Sequence, residues 1–382
     1  MHSARSPTTV PVPRRSPLFL SIFNSFGPGG AQTRFVQLAN FFSGQLRHII
    51  VSRDGTLSSL DRLTPQVEAS AYPWRLGSSY LQVHRSVRAA LLTLCPQRLL
   101  THNWGTIDWA IANTLHRIPH IHFEDGFGAD EADGPKSRRN LARRLVLGHS
   151  EVVVPSLTLR HMAQARWGIA PHRLHFIPNG IDCSRFAPGE RADGALDRER
   201  SQFIVGTVAA LRPEKNVARL IAAFATLRRS LACNLVIVGD GPERPKLRSL
   251  AAELGVSEHV EFVGHVTDAA PYYRKFDAFA LASDTEQMPY TVLEAMASGC
   301  CVVATDVGDV RAVVSAENDP FIVGRDPGQL ASACAALLAN RDLRGKIGLA
   351  NAQKARADFD QRQMFRRYAQ LFGIAEDEPL PE

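Results

Sequence analysis

Asp284-Thr-Glu-Gln-Met-Pro-Tyr-Thr-Val-Leu-Glu-Ala-Met-Ala-Ser-Gly299 lies between two short apolar runs of strand length, Ala278 to Ala282 and Cys301 to Ala304. It therefore reads as a loop leaving one strand, a helix, and a return to the next strand. Two glutamates stand in it, Glu286 in the loop and Glu294 in the first turns of the helix. Thr291-Val-Leu-Glu294 also has the spacing of a capping box, in which Glu294 would do no more than bind the Thr291 amide. That reading accounts for Glu294 and leaves Glu286 unexplained. A helix start at the carboxyl edge of a sheet can instead bind phosphate through its free amides, with nearby carboxylates accepting hydrogen bonds from hydroxyl groups.

Outward from this stretch the same rhythm repeats. In the second half, Phe203 to Ala209, Asn234 to Val238 and His259 to Val263 read as further strands, with Phe321 to Val323 as a short edge. In the first half the strands are Leu18 to Asn24, Arg47 to Ser52, Arg98 to His102, His120 to Phe123, Glu151 to Val154 and Leu174 to Ile177. Strands alternating with helical periodicity imply α/β domains with doubly wound parallel sheets. A chain of 382 residues exceeds the size at which one core usually stops growing, so two domains are expected. Residues 1–16 form a Pro-rich leader, 17–187 the first domain, 188–202 a charged linker without periodicity, and 203–352 the second domain. Residues 353–373 read as one amphipathic helix, through Phe359, Met364, Phe365, Tyr368 and Leu371, packing back across both domains.

Three further loops sit at strand ends. Gly27-Pro-Gly-Gly-Ala-Gln-Thr33 precedes a helix and permits close backbone approach to an anion, although the G-x-G-x-x-G dinucleotide spacing is absent. Arg212 and Lys215 follow the first strand of the second half, where open α/β sheets bind ligands. Two cations converging there on a diphosphate would stabilise a departing nucleotide. Gly239-Asp-Gly-Pro242 ends another strand and is adequately explained as a turn, with Pro242 at a helix start.

Composition narrows the classes. The net charge is +6, but basic residues are dispersed apart from Arg14-Arg15 and Lys136 to Arg144, so nothing marks a nucleic-acid-binding face. As a helix, Lys136 to Arg144 would present cations to solvent or to anionic lipid head groups. Six cysteines without C-x-x-C or metal-ligand spacing fit a reduced, cytoplasmic protein. No segment approaches the roughly 18 apolar residues of a membrane span, so any membrane contact is expected to be peripheral.

Taken together the chain resembles glycosyltransferase family 4 from about Pro17 onward. The resemblance rests on Gly29-Gly30-Ala31, Val154-Pro-Ser156 with Gly168-Ile169, Ile177-Pro-Asn-Gly-Ile-Asp182 with Phe186, Lys215, Gly239-Asp-Gly-Pro242, Phe262-Val-Gly264, the two glutamates, Leu293 to Gly299 and Val302 to Asp306. It implies the GT-B architecture, two Rossmann-like domains facing a central cleft, and a retaining, metal-independent transferase that takes its sugar from a nucleotide-sugar donor and needs no cofactor. By the resemblance Arg212 and Lys215 bind the donor diphosphate, Glu286 the donor sugar and Glu294 the ribose. The backbone of Gln287, Met288, Tyr290, Thr291 and Val292 lines sugar and phosphates. Gly264 to Val266 face the base, and Gly29 or Gly30 closes over the diphosphate.

In the family's usual mechanism the acceptor hydroxyl attacks the face the nucleotide leaves, and the departing phosphate helps take its proton. Electrostatics and placement then matter more than acid/base groups. A UDP-sugar is the first donor expected and GDP-mannose the next. The expected acceptor is a glycan or lipid-linked saccharide of envelope or exopolysaccharide synthesis, met at the inner face of the cytoplasmic membrane. Two positions depart from the pattern. Gln32 stands where many relatives carry Glu, and Asp125, within His122-Phe-Glu-Asp-Gly126, stands where relatives often carry a histidine that approaches the sugar. Asp125, His122 and His102 are thus the acceptor-side candidates. The alternatives are another nucleotide-sugar enzyme of the same fold, such as an epimerase, and a non-catalytic nucleotide-sugar-binding or scaffold protein. Release of free nucleotide in the presence of an acceptor separates the scaffold from the transferase.

Overall fold

The computed structural model describes residues 16–74, 77, 79–126, 136–189 and 202–374. Nearly all of the expected leader and residues 190–201 of the expected linker lie outside the described residues.

The first half forms a parallel sheet of seven strands: β1 (Leu18–Phe23), β2 (Arg47–Ser52), β3 (Glu68–Ala71), β4 (Arg98–His102), β5 (His120–Phe123), β6 (Glu151–Val154) and β7 (Leu174–Phe176). Their spatial order is β3-β2-β1-β4-β5-β6-β7. The helices of this half are α1 (Gly30–Phe41), α2 (Tyr80–Leu94), α3 (Ile107–His116), α4 (Ser137–Val146) and α5 (Leu157–Ala165). Helices α2 and α3 bury Val87, Leu91 and Trp109 against Leu20, Ile22 and Leu99 on one sheet face. On the other face Leu38 of α1 and Phe42 just beyond its end pack against Phe19, Leu100 and Phe123. Strand β3 had no signature in the sequence. Glu-Ala-Ser-Ala is a largely exposed edge paired only to β2, so neither alternation nor β-branched residues mark it.

The second half repeats the design with six parallel strands, β8 (Phe203–Val208), β9 (Cys233–Val238), β10 (Val260–Gly264), β11 (Ala278–Leu281), β12 (Val302–Thr305) and β13 (Ile322–Val323), in the order β10-β9-β8-β11-β12-β13. Its helices are α6 (Val217–Arg228), α7 (Arg244–Glu253), α8 (Ala270–Tyr273), α9 (Tyr290–Ala297), α10 (Val310–Val313) and α11 (Pro327–Ala339). In each sheet the strand order reverses beside the first strand, between β1 and β4 and between β8 and β11. Doubly wound sheets bind ligands outside the carboxyl ends at that reversal. The glycine-rich loop follows β1, Arg212 and Lys215 follow β8, and Glu286 follows β11.

The expected single helix over 353–373 is two helices, α12 (Arg341–Phe359) and α13 (Gln361–Phe372). Between them Asp360 is extended, because the chain here pairs with the connection between the halves. Ile181 N donates to Phe359 O and Gln361 N to Ile181 O, both at 2.9 Å. Helix α12 buries Ala355 and Phe359 in the second half. Helix α13 returns to the first half, where Met364, Phe365, Tyr368 and Phe372 fill the core beside Phe19 and Phe42. The break passes unnoticed in the sequence because both helices share one run of amphipathic spacing.

Candidate functional site

The glycine-rich loop meets the segments that follow β8 and β11 across the cleft between the two sheets. Gly29 caps α1, and a Cβ on Gly30 would stand 3.7 Å from the Tyr290 ring. Gln32 folds back, its amide donating to Ser25 O at 2.6 Å, so it stabilises the loop from behind. Arg212 Nη2 donates to Pro28 O at 3.2 Å with half of its side chain exposed. Tyr290 Oη donates to Gln37 Oε1 at 3.3 Å.

On the second sheet's side of the cleft Lys215 Nζ and Ser283 Oγ both donate to Glu286 Oε1, at 2.6 and 2.8 Å. Asp284 accepts from Asn216 at 3.0 Å and from Arg219 at 2.6 Å, which fixes the root of the loop. Asn216 adopts the left-handed conformation and accepts from Arg219 N, capping α6. The turn Val307-Gly-Asp309 supports the loop from below. Gly308 has φ 55°, and a Cβ there would stand 2.2 Å from Glu286 O, so only glycine fits. Gly239 and Gly241 likewise press on the backbone carbonyls of Ala209 and Leu211, just before Arg212. That segment is structural, and Pro242 lies outside a helix that begins at Arg244 with Pro245 in its first turn.

The capping box does not form. Helix α9 starts at Tyr290 with Pro289 as its cap residue, and Pro289 supplies no side-chain acceptor. The first turn of α9 therefore has no side-chain cap, as an anion site requires. Glu294 is instead held by Tyr273, whose buried hydroxyl donates to Oε2 at 2.8 Å. Burial raises the Glu294 carboxyl above its ordinary range, and the Tyr273 hydrogen bond opposes that rise. Met288 and Val292 turn their side chains into the core, so only their backbone is presented. Gly264, with φ 89°, ends β10 and accepts from Gly239 N at 2.8 Å, and Val266 packs beside it on the second core.

The acceptor-side candidates separate. His102 is enclosed between the Phe23 and Phe123 rings, with centroids at 4.0 and 4.7 Å, and burial pushes its imidazole well below the ordinary value. His122 is fully buried, its Nδ1 2.8 Å from Thr101 Oγ1. Neither ring lines the cleft. Asp125 does reach its edge, with 15% of its side chain exposed and both oxygens bound by Arg34. Arg34, Tyr273 and Asp309 are the residues that sequence reasoning did not single out, and Asn179 stood there only as part of Ile177 to Asp182, with no role of its own. Arg34 left one trace, a cation on the apolar face of α1 between Ala31 and Phe35. Among the described residues no group of three or more His, Cys, Asp or Glu is placed to hold a metal ion.

A family profile described as Glycosyltransferase Family 4 matches residues 28–185, and one described as Glycosyl transferases group 1 matches residues 202–340. The D-inositol 3-phosphate glycosyltransferase of Corynebacterium glutamicum is 30% identical over 283 residues, 67% of either chain. The chain belongs to glycosyltransferase family 4. A second relative, the GDP-mannose-dependent alpha-(1-6)-phosphatidylinositol monomannoside mannosyltransferase of Mycobacterium tuberculosis, is 33% identical over 230 residues, 56% of this chain. The match spans 59% of that relative's length, and the same share of another curated relative. Among solved structures, Anabaena HepE in complex with UDP and glucose superposes with a TM-score of 0.77 at 18% identity, covering 94% of this chain and all of HepE. The two facing parallel sheets are thus the GT-B fold that the family resemblance implied.

Proposed function

We propose that this family-4 chain transfers a sugar from a nucleotide-sugar donor to a glycan or lipid-linked saccharide, with retention of configuration and without a metal. One observation carries the reading: the carboxyl edges of both sheets, each at its topological reversal, converge on one cleft. There Arg212, Lys215 and the uncapped start of α9 offer positive charge beside Glu286 and Glu294. A diphosphate placed among them has its developing charge balanced by the two cations and the helix amides, and losing one such contact costs about 2.7 to 4 kcal/mol of barrier. Glu286, oriented by Lys215 and Ser283, accepts from sugar hydroxyls. Glu294, oriented by Tyr273, accepts from the ribose. The backbone at Gly29, Gly30, Gly264, Val266, Gln287, Met288, Tyr290, Thr291 and Val292 lines the rest.

A UDP-sugar is the first donor to test, supported by the HepE complex with UDP-glucose, and GDP-mannose the second, supported by the mycobacterial relative's name. A thermal-shift panel of UDP-, GDP-, ADP- and TDP-sugars in EDTA tests the reading. A bound donor at 100 times its Kd adds about 2.7 kcal/mol of stability. Failure of every nucleotide sugar to raise Tm sinks donor binding. A donor that binds only after a divalent cation is restored sinks metal independence, and inverted product stereochemistry by NMR sinks retention.

The acceptor reading draws support from the outer face of α2, α3 and α4. Leu81, Arg85, Arg88 and Leu92 form one exposed stripe on α2, and Arg138, Leu141 and Leu145 another on α4, with exposed Leu115 on α3 between them. No described helix is long and apolar enough to cross a membrane. Exposed leucines flanked by arginines instead suit peripheral contact with an anionic bilayer, where a lipid-linked acceptor resides.

A further inference from the structure

We infer that Arg34 is a positioning residue that ties the acceptor-side loop to the donor-sugar loop, so that the two substrate half-sites keep their spacing. The inference rests on the sugar-transfer reading above. Arg34 is 1% exposed, on the first turns of α1 just behind Gly30. Its guanidinium binds Asp125 with two hydrogen bonds, Nη1 to Oδ1 and Nη2 to Oδ2, the second 2.7 Å long. The same Nη1 donates to Asn179 Oδ1 at 3.3 Å. Asn179 in turn donates through Nδ2 to Met288 O at 2.8 Å, and its backbone amide lies 3.3 Å from Met288 Sδ. Four segments distant in sequence are thereby joined: the helix behind the glycine-rich loop, the end of β5, the connection between the halves, and the loop carrying Glu286. At the end of this path the two loops touch directly, since a Cβ on Gly126 would stand 3.1 Å from Gln287 Cγ.

The chemistry of the parts makes this a rigid link. Burial alone disfavours the Arg34 cation, but Asp125, joined by Tyr368 and Tyr290, more than offsets it and the guanidinium stays charged. A planar fork bound at both oxygens fixes the direction of the carboxylate as well as its distance. The Phe123 ring, 5.2 Å beneath the guanidinium, closes the remaining side. Asp125 is therefore committed to Arg34, and its contribution to transfer is made through the placement of the loop and of Met288, next to Glu286.

Amide hydrogen exchange on the full chain, with no substrate present, tests the link itself. Asp125→Asn, at the cleft edge, and Asn179→Ala, in the middle of the path, are each expected to speed exchange across Gln287 to Thr291 by about tenfold, the worth of one hydrogen bond. The double variant should exchange no faster there than Asn179→Ala. Effects of Asp125→Asn confined to α1 and β5, or effects of the two variants that multiply, would overturn the proposal. A second arm measures turnover and binding with UDP-glucose, GDP-mannose, UDP and GDP. If the link positions substrates, nucleoside diphosphate release falls by about 100-fold, as for an ångström of misplacement, while the Kd for UDP or GDP alone stays within twofold. Unchanged turnover, or a parallel loss of diphosphate affinity, would overturn it. Should the unsubstituted chain turn over no donor, the transfer reading fails, and the exchange arm still decides the coupling.

Discussion

Tyr273 engages Oε2 of Glu294 from inside the core, leaving Oε1 to accept from the ribose on the proposed reading. Because the carboxyl is raised by burial, donor binding through it is complete above its pKa and lost as pH falls through that value. Tyr273→Phe removes the hydrogen bond that opposes the rise, so the loss should begin at higher pH, and donor affinity near neutrality should drop about tenfold. Isothermal titration with the donor that stabilises the chain, at a series of pH values, checks this; an unmoved midpoint would show that Tyr273 does not set the carboxylate. Glu294→Ala should abolish most donor binding. Its stability cost, about 1 to 3 kcal/mol, comes from the stranded Tyr273 hydroxyl and not from a lost cap. Adding Tyr273→Phe to it should therefore recover stability without recovering binding. The glutamate pair was legible in the sequence, whereas the partner of Glu294 was not, because a tyrosine on a neighbouring helix leaves no mark in local spacing.

Among elements, the passage from α12 to α13 depends on Gly180. A Cβ there would stand 2.7 Å from Gln361 Cα and 2.9 Å from Met364 Cβ, and backbone at that distance yields only by moving α13. Gly180→Ala is expected to cost about 1 to 3 kcal/mol, the range for overpacking, read as a lower urea midpoint at unchanged m. A midpoint equal to that of the unsubstituted chain would mean that α13 is not clamped at its start. The strands and most helices were legible because burial on one face imposes a period on the sequence. The edge strand β3 and the break at Asp360 were not, since each is decided by a neighbour outside its own segment, β2 and Ile181.

Across the whole molecule, two buried histidines of the first half tie stability to pH. Burial pushes His48 down to about 4 and His120 down to about 3, so both are neutral when folded. Unfolded histidines take up protons below about 6.5. The stability these two contribute is thus complete above that pH and lost as pH falls toward 4 and below. His48→Phe, in a pocket already lined by Phe19 and Phe35, should flatten the fall of Tm between pH 6.5 and 4, and an unchanged slope would remove His48 from the account. For the leucine and arginine face, sedimentation with phosphatidylglycerol vesicles should capture the chain at low salt and release it at high salt. Leu141→Asp with Leu145→Asp should abolish capture; equal capture by phosphatidylcholine would argue against charge. By itself the sequence determined the two α/β halves, the loops at their strand ends and the cations and carboxylates those loops carry, because these follow from local periodicity and turn chemistry. Only the tertiary structure decided that His102 and His122 are core residues, that Glu294 answers to Tyr273, and that Asp125 answers to an arginine 91 positions away. A buried charge takes its partner from whichever segment the fold brings beside it, and no pattern within one segment records that choice.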